Sequence, residues 1–328
     1  MENMKKLTVL IMAFALMLVL AACGSKDEDK KPEANGAGSD NSSESNDSAE
    51  TKEMTFKHEL GEATLEGTPK TVAVFDFGVL DTLDELGVEV AGVPQATVPS
   101  YLEKYASDEY TNLGSLKEPD FEALHAMKPD VIFISGRQAE LYDQFAEIAP
   151  TVYMAIDNTK YMESFKNNMD ILAQIFDKED EMKTELADVD KLVEDIHSKA
   201  SEIDSKALIV LATEGKVSAY GPSSRFGLIH DVFGFTPADE GIETSTHGQN
   251  ITFEYILETN PDILFVIDRD AAIGDGANAK KTVENDLVKK TNAFKNDKIV
   301  YLNGEYWYLS GGGLKSMKEM IKEVEAGL

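Results

Sequence analysis

The 328-residue chain contains one cysteine, one tryptophan and only three arginines, Arg137, Arg225 and Arg269, against 28 lysines. A lone cysteine excludes any internal disulfide. Positive charge as a whole is scarce: 60 acidic residues leave a formal charge of −29, of which −4 falls in residues 1–55 and −25 in the rest. So acidic a surface argues against nucleic acid and against anionic membrane as partners, and any anionic ligand would need a local cationic pocket. Catalytic signatures are also missing. There is no GxSxG elbow, no GxxxxGK[ST] phosphate loop and no GxGxxG after a strand. "SGGGLKS" (310–316) is glycine-rich, but it precedes an amphipathic helix with no strand before it, so it is a tight turn and a helix start. His58, His125, His197 and His230 are scattered without His-x-His or HExxH spacing, which disfavours a bare zinc or manganese site.

What is present begins with an export signal. "MENMKK" is a positive start, followed by the uncharged apolar stretch "LTVLIMAFALMLVLAA". The tetrapeptide "LAAC" ending at Cys23 resembles the bacterial lipobox, which implies a lipidated cysteine as the new first residue. The polar tail after it, rich in Gly, Ser, Asn and acid, has almost nothing to bury and is expected to be a disordered tether. The expected divisions are a signal peptide (1–22), a tether (23–55), an amino-terminal α/β lobe (56–157), connecting helices (158–205) and a carboxyl-terminal α/β lobe (206–328).

An internal repeat supports the two lobes. "DFEALHAMKPDVIFISGR" (120–137) and "TFEYILETNPDILFVIDR" (252–269) align without gaps at an offset of 132, sharing Phe, Glu, Pro-Asp, Phe and Arg. Each copy predicts a helix, a turn and a buried strand. "TVAVFDFGVLDTLDELGVEVAGV" (71–93) alternates strand, helix and strand, with Gly87 closing the helix. "ALIVLATEGKVSAYG" (207–221) predicts a strand and hairpin, and "SSRFGLIHDVFGF" (223–235) a helix started by a serine cap. Residues 151–214 lack both Gly and Pro, and Leu186, Val189, Val193, Ile196, Ala200 and Ile203 form one apolar stripe. That predicts a helix over about 180–203, roughly 36 Å long. The expected fold class is therefore α/β, with two Rossmann-like lobes joined by a single long α-helix and a ligand cleft between them. One stiff connector permits a modest opening, not a wide clamp.

The arginines fall at telling places. A helix running antiparallel to the strand after it starts near where that strand ends. Glu122 and Glu254 at the helix starts and Arg137 and Arg269 past the strands thus share the carboxyl edge of their sheets, where open α/β sheets bind ligands. Arg225, after a hairpin, is expected near the same edge. A guanidinium is planar, binds oxygens in a fork and stacks on aromatic rings. Three of them match a ligand of charge near −3 with several anionic oxygens on flat rings, as in an iron(III) tris-catecholate. His247 in "STHGQN" and Tyr306, Trp307 and Tyr308 in "NGEYWYLSGGG" are further candidates; for Tyr306 and Trp307 a place in the core fits equally well. Imidazole and phenolate are both suitable iron(III) ligands.

With these motifs, residues 56–328 resemble the helical-backbone class of periplasmic-type binding proteins, the receptors for siderophores, haem and cobalamin. Within it they are most similar to Gram-positive lipoproteins that bind ferric petrobactin and related catecholate siderophores. The resemblance implies that Arg137, Arg225 and Arg269 contact catecholate oxygens. It implies that His247 and, by spacing, Tyr308 complete iron coordination when a siderophore supplies four donors, with Tyr306 as the competing assignment. It also implies that Glu122 and Glu254 dock on arginines of an ABC permease, although first-turn acids stabilise a helix start by themselves. The expected protein is a monomer without cofactor or enzymatic activity. It is held by Cys23 on the outer face of the cytoplasmic membrane, and its ligand is an iron(III)-siderophore complex. Haem or cobalamin binding on the same fold, and an exported enzyme, are the alternatives.

Overall fold

The computed structural model of the chain describes residues 53–274 and 278–328. The expected signal peptide, Cys23 and nearly all of the tether lie outside them. Residues 53–55, expected at the end of the tether, instead open strand β1 (Glu53–His58), which pairs antiparallel with β2 (Gly61–Glu66).

The first lobe is a five-stranded parallel sheet. It is built from β3 (Val72–Val74), β4 (Gly92–Val93), β5 (Thr111–Asn112), β6 (Val131–Ile134) and β7 (Thr151–Tyr153) in the order β5-β4-β3-β6-β7. Helices α1 (Phe77–Glu85), α2 (Phe121–Met127) and α3 (Tyr142–Ala146) connect its strands. Val131 to Ile134 are fully buried, because helices cover both faces of a parallel sheet and leave no solvent side. Gly87 has φ +65°, the left-handed turn expected after α1.

Two helices follow, α4 (Tyr161–Phe176) and α5 (Glu179–Glu202). The 24-residue α5 agrees with the helix read from its apolar stripe, and Val189, Ile196 and Ala200 of that stripe are buried. The second sheet uses β8 (Lys206–Thr213), β9 (Lys216–Tyr220), β10 (Thr236–Pro237), β11 (Gln249–Ile251), β12 (Ile263–Asp268) and β13 (Ile299–Leu302). Its order is β11-β9-β8-β12-β13, with β10 pairing the start of β8. The short helices α6 (Leu228–Asp231), α7 (Phe253–Thr259), α8 (Arg269–Ala272), α9 (Ala279–Val283) and α10 (Asn292–Lys295) cover it, and α11 (Leu314–Glu325) ends the chain.

The repeat is a structural one. Helix α2 and strand β6 recur as α7 and β12 at the same offset. Each helix ends in a left-handed residue, Lys128 (φ 52°) and Asn260 (φ 46°). In both copies the Asp after the proline ties its turn to the start of a neighbouring strand. Asp130 accepts from the Lys70 and Thr71 amides, and Asp262 from the Lys206 amide.

The segment 223–235 departs from expectation. Ser224 does not cap a helix; its hydroxyl donates to the Gly221 carbonyl at 2.5 Å, and Ser223 is left-handed at φ 58°. Asp231 reaches back to accept from the Ser223 amide at 2.6 Å, closing a compact loop with only one helical turn, α6. The apolar spacing is satisfied all the same: Phe226, Ile229 and Phe233 are buried. Periodicity alone could not separate a helix from a wound loop.

Both lobes share one apolar cluster, which runs through Val74 and Phe133, then α4 and α5, to Ile209, Phe265 and α11. At the seam, α11 begins against α1. Asp81, fully buried, accepts from the Lys315 and Ser316 amides at 2.7 and 2.9 Å and from the Tyr101 hydroxyl at 2.9 Å. Thr82 accepts from the Leu314 amide at 3.0 Å. A first-lobe carboxylate thus satisfies the orphan amides of a second-lobe helix. A continuous core and this cap oppose wide separation of the lobes. Replacing Asp81 by Ala should lower the unfolding free energy by roughly 2–4 kcal/mol, because it takes the acceptor from the Lys315 and Ser316 amides at once, while the Tyr101 hydroxyl keeps Ser310 as partner. Urea unfolding followed by circular dichroism would measure it.

Candidate ligand-binding site

A cavity of about 700 Å³ lies between the two sheets, lined from the first lobe by Arg137, Tyr153 and Ile156 and from the second by Arg225, His247 and Arg269. Each arginine is held by its own local structure. Arg137 follows β6 on a turn tied down by Gln138, whose side chain donates to the Leu116 carbonyl at 2.5 Å and accepts from the Ser135 amide at 3.2 Å. Arg225 sits on the closed loop after β9. Arg269 starts α8, which Asp268 caps by accepting from the Ala271 amide at 3.1 Å. Its guanidinium donates to Thr213 at 2.8 Å and lies 3.5 Å from the buried Asp270 carboxylate.

All three converge on Tyr308. Arg137 and Arg225 each donate to its backbone carbonyl at 2.6 Å, and Arg269 donates to its hydroxyl at 3.1 Å. The guanidinium centres stand 5.6, 4.4 and 5.4 Å from the centre of its ring. The local backbone makes this possible. Residues Glu305–Leu309 form a π-helical turn in which the Ser310 amide reaches back to the Glu305 carbonyl at 3.0 Å. The Tyr308 carbonyl is left at the carboxyl end of that turn, and its two lone pairs take two arginines. Gly304 lets the turn approach closely, since a Cβ there would lie 2.3 Å from the Asp268 carbonyl oxygen. The Glu305 carboxylate crosses to the first lobe and accepts from the Ser100 amide and hydroxyl at 3.0 and 2.6 Å.

The electrostatics follow from this crowding. Two guanidinium nitrogens that share one oxygen repel by about 3 kcal/mol at a separation near 5 Å and an effective dielectric of about 20. Burial, with the neighbouring Arg137 charge, pushes Arg225 down to about 10, so it stays cationic at neutral pH. For Tyr308, burial pushes the phenol up. The Arg269 hydrogen bond and the three guanidinium charges outweigh it, and the phenol ends below its ordinary value. Buried Tyr220 in the same cavity is pushed up to about 12 by burial, which the Arg225 charge offsets only in part.

The other predicted residues divide. His247 is exposed and lines the cavity, on a loop where its amide donates to Ser245 at 3.1 Å. Trp307 also lines it, but is buried and donates its indole N–H to Glu323 at 2.8 Å, so it forms wall. Tyr306 is not brought into the cavity; its ring packs on Tyr101 at 4.8 Å. Its side chain leaves the turn on the opposite side from Tyr308, which spacing alone could not tell. Glu122 and Glu254 are exposed in the first turns of α2 and α7. Sequence reasoning missed Asp76, Lys117, Tyr161 and Tyr220 as cavity wall. Asp76 lies just past β3, at the same carboxyl edge of its sheet as Arg137, and this was the available signal; Tyr220 ends the antiparallel β9 opposite Ile209 and gave no such signal. Among the described residues there is no cluster of three or more His, Cys, Asp or Glu side chains placed to hold a metal ion.

A cationic, aromatic cavity between two α/β lobes joined by a long helix is the architecture of a solute-binding protein. The chain belongs to the periplasmic binding protein family, whose model matches residues 72–306. It is 49% identical over 329 residues to the petrobactin-binding protein YclQ of Bacillus subtilis, covering 99% of both chains. The YclQ crystal structure superposes with a TM-score of 0.82, covering 84% of this chain and 98% of that one at 52% identity. The catecholate-siderophore binding protein VctP of Vibrio cholerae superposes with a TM-score of 0.80 at 38% identity, covering 84% of this chain and all of that one. The ferric-anguibactin-binding protein FatB of Vibrio anguillarum is 32% identical over 280 residues, 84% of this chain and 87% of its own.

In an alkaline titration followed by ultraviolet difference absorbance, Tyr308 should be the first tyrosine to ionise. Tyr308→Phe should remove that first step, and Arg269→Gln should move it to higher pH, because one favourable cationic contact is lost as the phenolate forms.

Proposed function

We propose that this chain captures a ferric catecholate siderophore in the cavity between its lobes and hands it to an ABC permease for iron uptake. One observation carries the reading: in a chain of charge −29, all three arginines meet at one aromatic residue in one cavity. The crowded guanidinium groups repel each other, and a trianionic guest with flat rings replaces that repulsion with charge-assisted hydrogen bonds and stacking. The relatives named for petrobactin, anguibactin and catecholate siderophores agree with this chemistry.

In this reading the arginines contact the catecholate oxygens. Tyr308, with its lowered phenol, and His247 supply donors when the siderophore offers only four. The iron is cargo, held by the siderophore. Cys23 carries the lipid anchor on the outer face of the cytoplasmic membrane, with residues 23–52 as tether. Glu122 and Glu254 present one carboxylate from each lobe to a basic permease surface, an attraction that speeds docking and weakens with salt. No covalent chemistry is performed. The protein acts as a monomer, and the lobes close only slightly on the guest.

Replacing Arg137, Arg225 or Arg269 singly by Ala should weaken binding of a ferric hexadentate catecholate by about ten- to a hundredfold, read by quenching of Trp307 emission. Unchanged affinity in all three variants would refute the assignment. Reversing the charge of Glu122 and Glu254 should leave that affinity intact while cutting iron uptake by cells; retained uptake would remove their docking role.

A further inference from the structure

The cavity wall carries Lys117, Arg137, Arg225, Arg269 and His247 and, among the described residues, a single carboxylate, Asp76. For a pocket that attracts a trianion this is the wrong sign, and the fold does not require it. Asp76 lies two residues past β3 and caps α1, accepting from the Val79 amide at 3.0 Å, while its other oxygen accepts from the Ser135 hydroxyl at 2.6 Å. Asn, Ser or Thr would cap the helix without charge. Asp76 is only half-buried, and among the described residues no lysine or arginine forms an ion pair with it. The wall thus carries both signs of charge. The buried Tyr161 phenol, pushed up by burial, is drawn down by Arg225 and pushed up further by Asp76, so both charges stand near the same hydroxyl. An all-anionic guest at the arginines would therefore feel one uncompensated repulsion from the first lobe.

Building on the ferric catecholate reading, we propose that Asp76 is a specificity-determining residue. It selects siderophores whose backbone carries a protonated amine beside the catecholate groups, and binds that amine through its carboxylate. The guest is then matched twice, anionic oxygens to the arginines and a cationic nitrogen to Asp76. A chelate with the same rings on an uncharged linker is disfavoured by the carboxylate it leaves unpaired, which supplies discrimination by repulsion as well as attraction.

The test uses two synthetic ferric tris-catecholates that differ only in one linker position, a secondary amine in one and a methylene in the other. Each is titrated against the wild-type protein and against Asp76→Asn, which keeps the helix cap. Wild type should prefer the amine chelate by about tenfold, the worth of one charge-assisted hydrogen bond on a partly solvated wall. Asp76→Asn should lose about tenfold on the amine chelate and gain several-fold on the methylene one, erasing the preference. Should Asp76→Asn prove unstable by thermal melting, Asp76→Ser keeps the cap and makes the same comparison. If both chelates bind wild type equally, or the substitution changes both affinities by one factor, the role of Asp76 is overturned and the catecholate reading stands. If neither chelate binds wild type, the catecholate reading falls and this inference with it.

Discussion

Three like charges are gathered around one tyrosine, and much of the architecture serves to hold them there. Arg137 comes from the first lobe, Arg225 and Arg269 from the second, and Tyr308 from the turn that leads into α11. An assembly of this kind is costly by itself, because neighbouring guanidinium groups repel in a partly buried space. It persists because a neutral carbonyl, a phenol and an aromatic face compensate each of them in part. That partial compensation suits a receptor: the site is ordered before the guest arrives, yet an anion still improves it.

The same turn is also where the lobes meet. Glu305 bonds across to Ser100, Tyr306 packs on Tyr101, and Asp81 and Thr82 of α1 accept from the first amides of α11. Residues 305–316 therefore form both the centre of the site and much of the seam. With one apolar cluster extending through both lobes, ligand entry and any small closure act on the same few residues. The acidic surface outside is consistent with this division. Repulsion keeps stray anions away, and the scarce arginines are concentrated in one cavity, where the proposed anion would bind.

Much of this was legible in the chain. The repeat at an offset of 132 foretold two related units, because helix, Pro-Asp turn and buried strand impose similar residues wherever they recur. The stripe from Leu186 to Ile203 foretold α5, since a long amphipathic helix has no other pattern. The arginines were legible through their rarity and their position past buried strands. Less legible were features set by tertiary contact. The π-helical turn that points Tyr308 inward and Tyr306 outward has no local signature. Residues 223–231 have helical spacing, yet hydrogen bonds from Ser224 and Asp231 wind them into a loop. The pairing of Asp81 with amides 234 and 235 residues away joins two segments that nothing in either one links.

If electrostatic matching to a trianion governs recognition, charge and not size should decide affinity. The direct measurement is the dissociation constant of the wild-type protein for a ferric tris-catecholate of charge −3, set beside that for a neutral ferric tris-hydroxamate of similar dimensions in the same buffer. Binding at least a hundredfold tighter for the catecholate, with the gap narrowing as salt is raised, is the expected result. Equal affinities, unmoved by salt, would contradict the account.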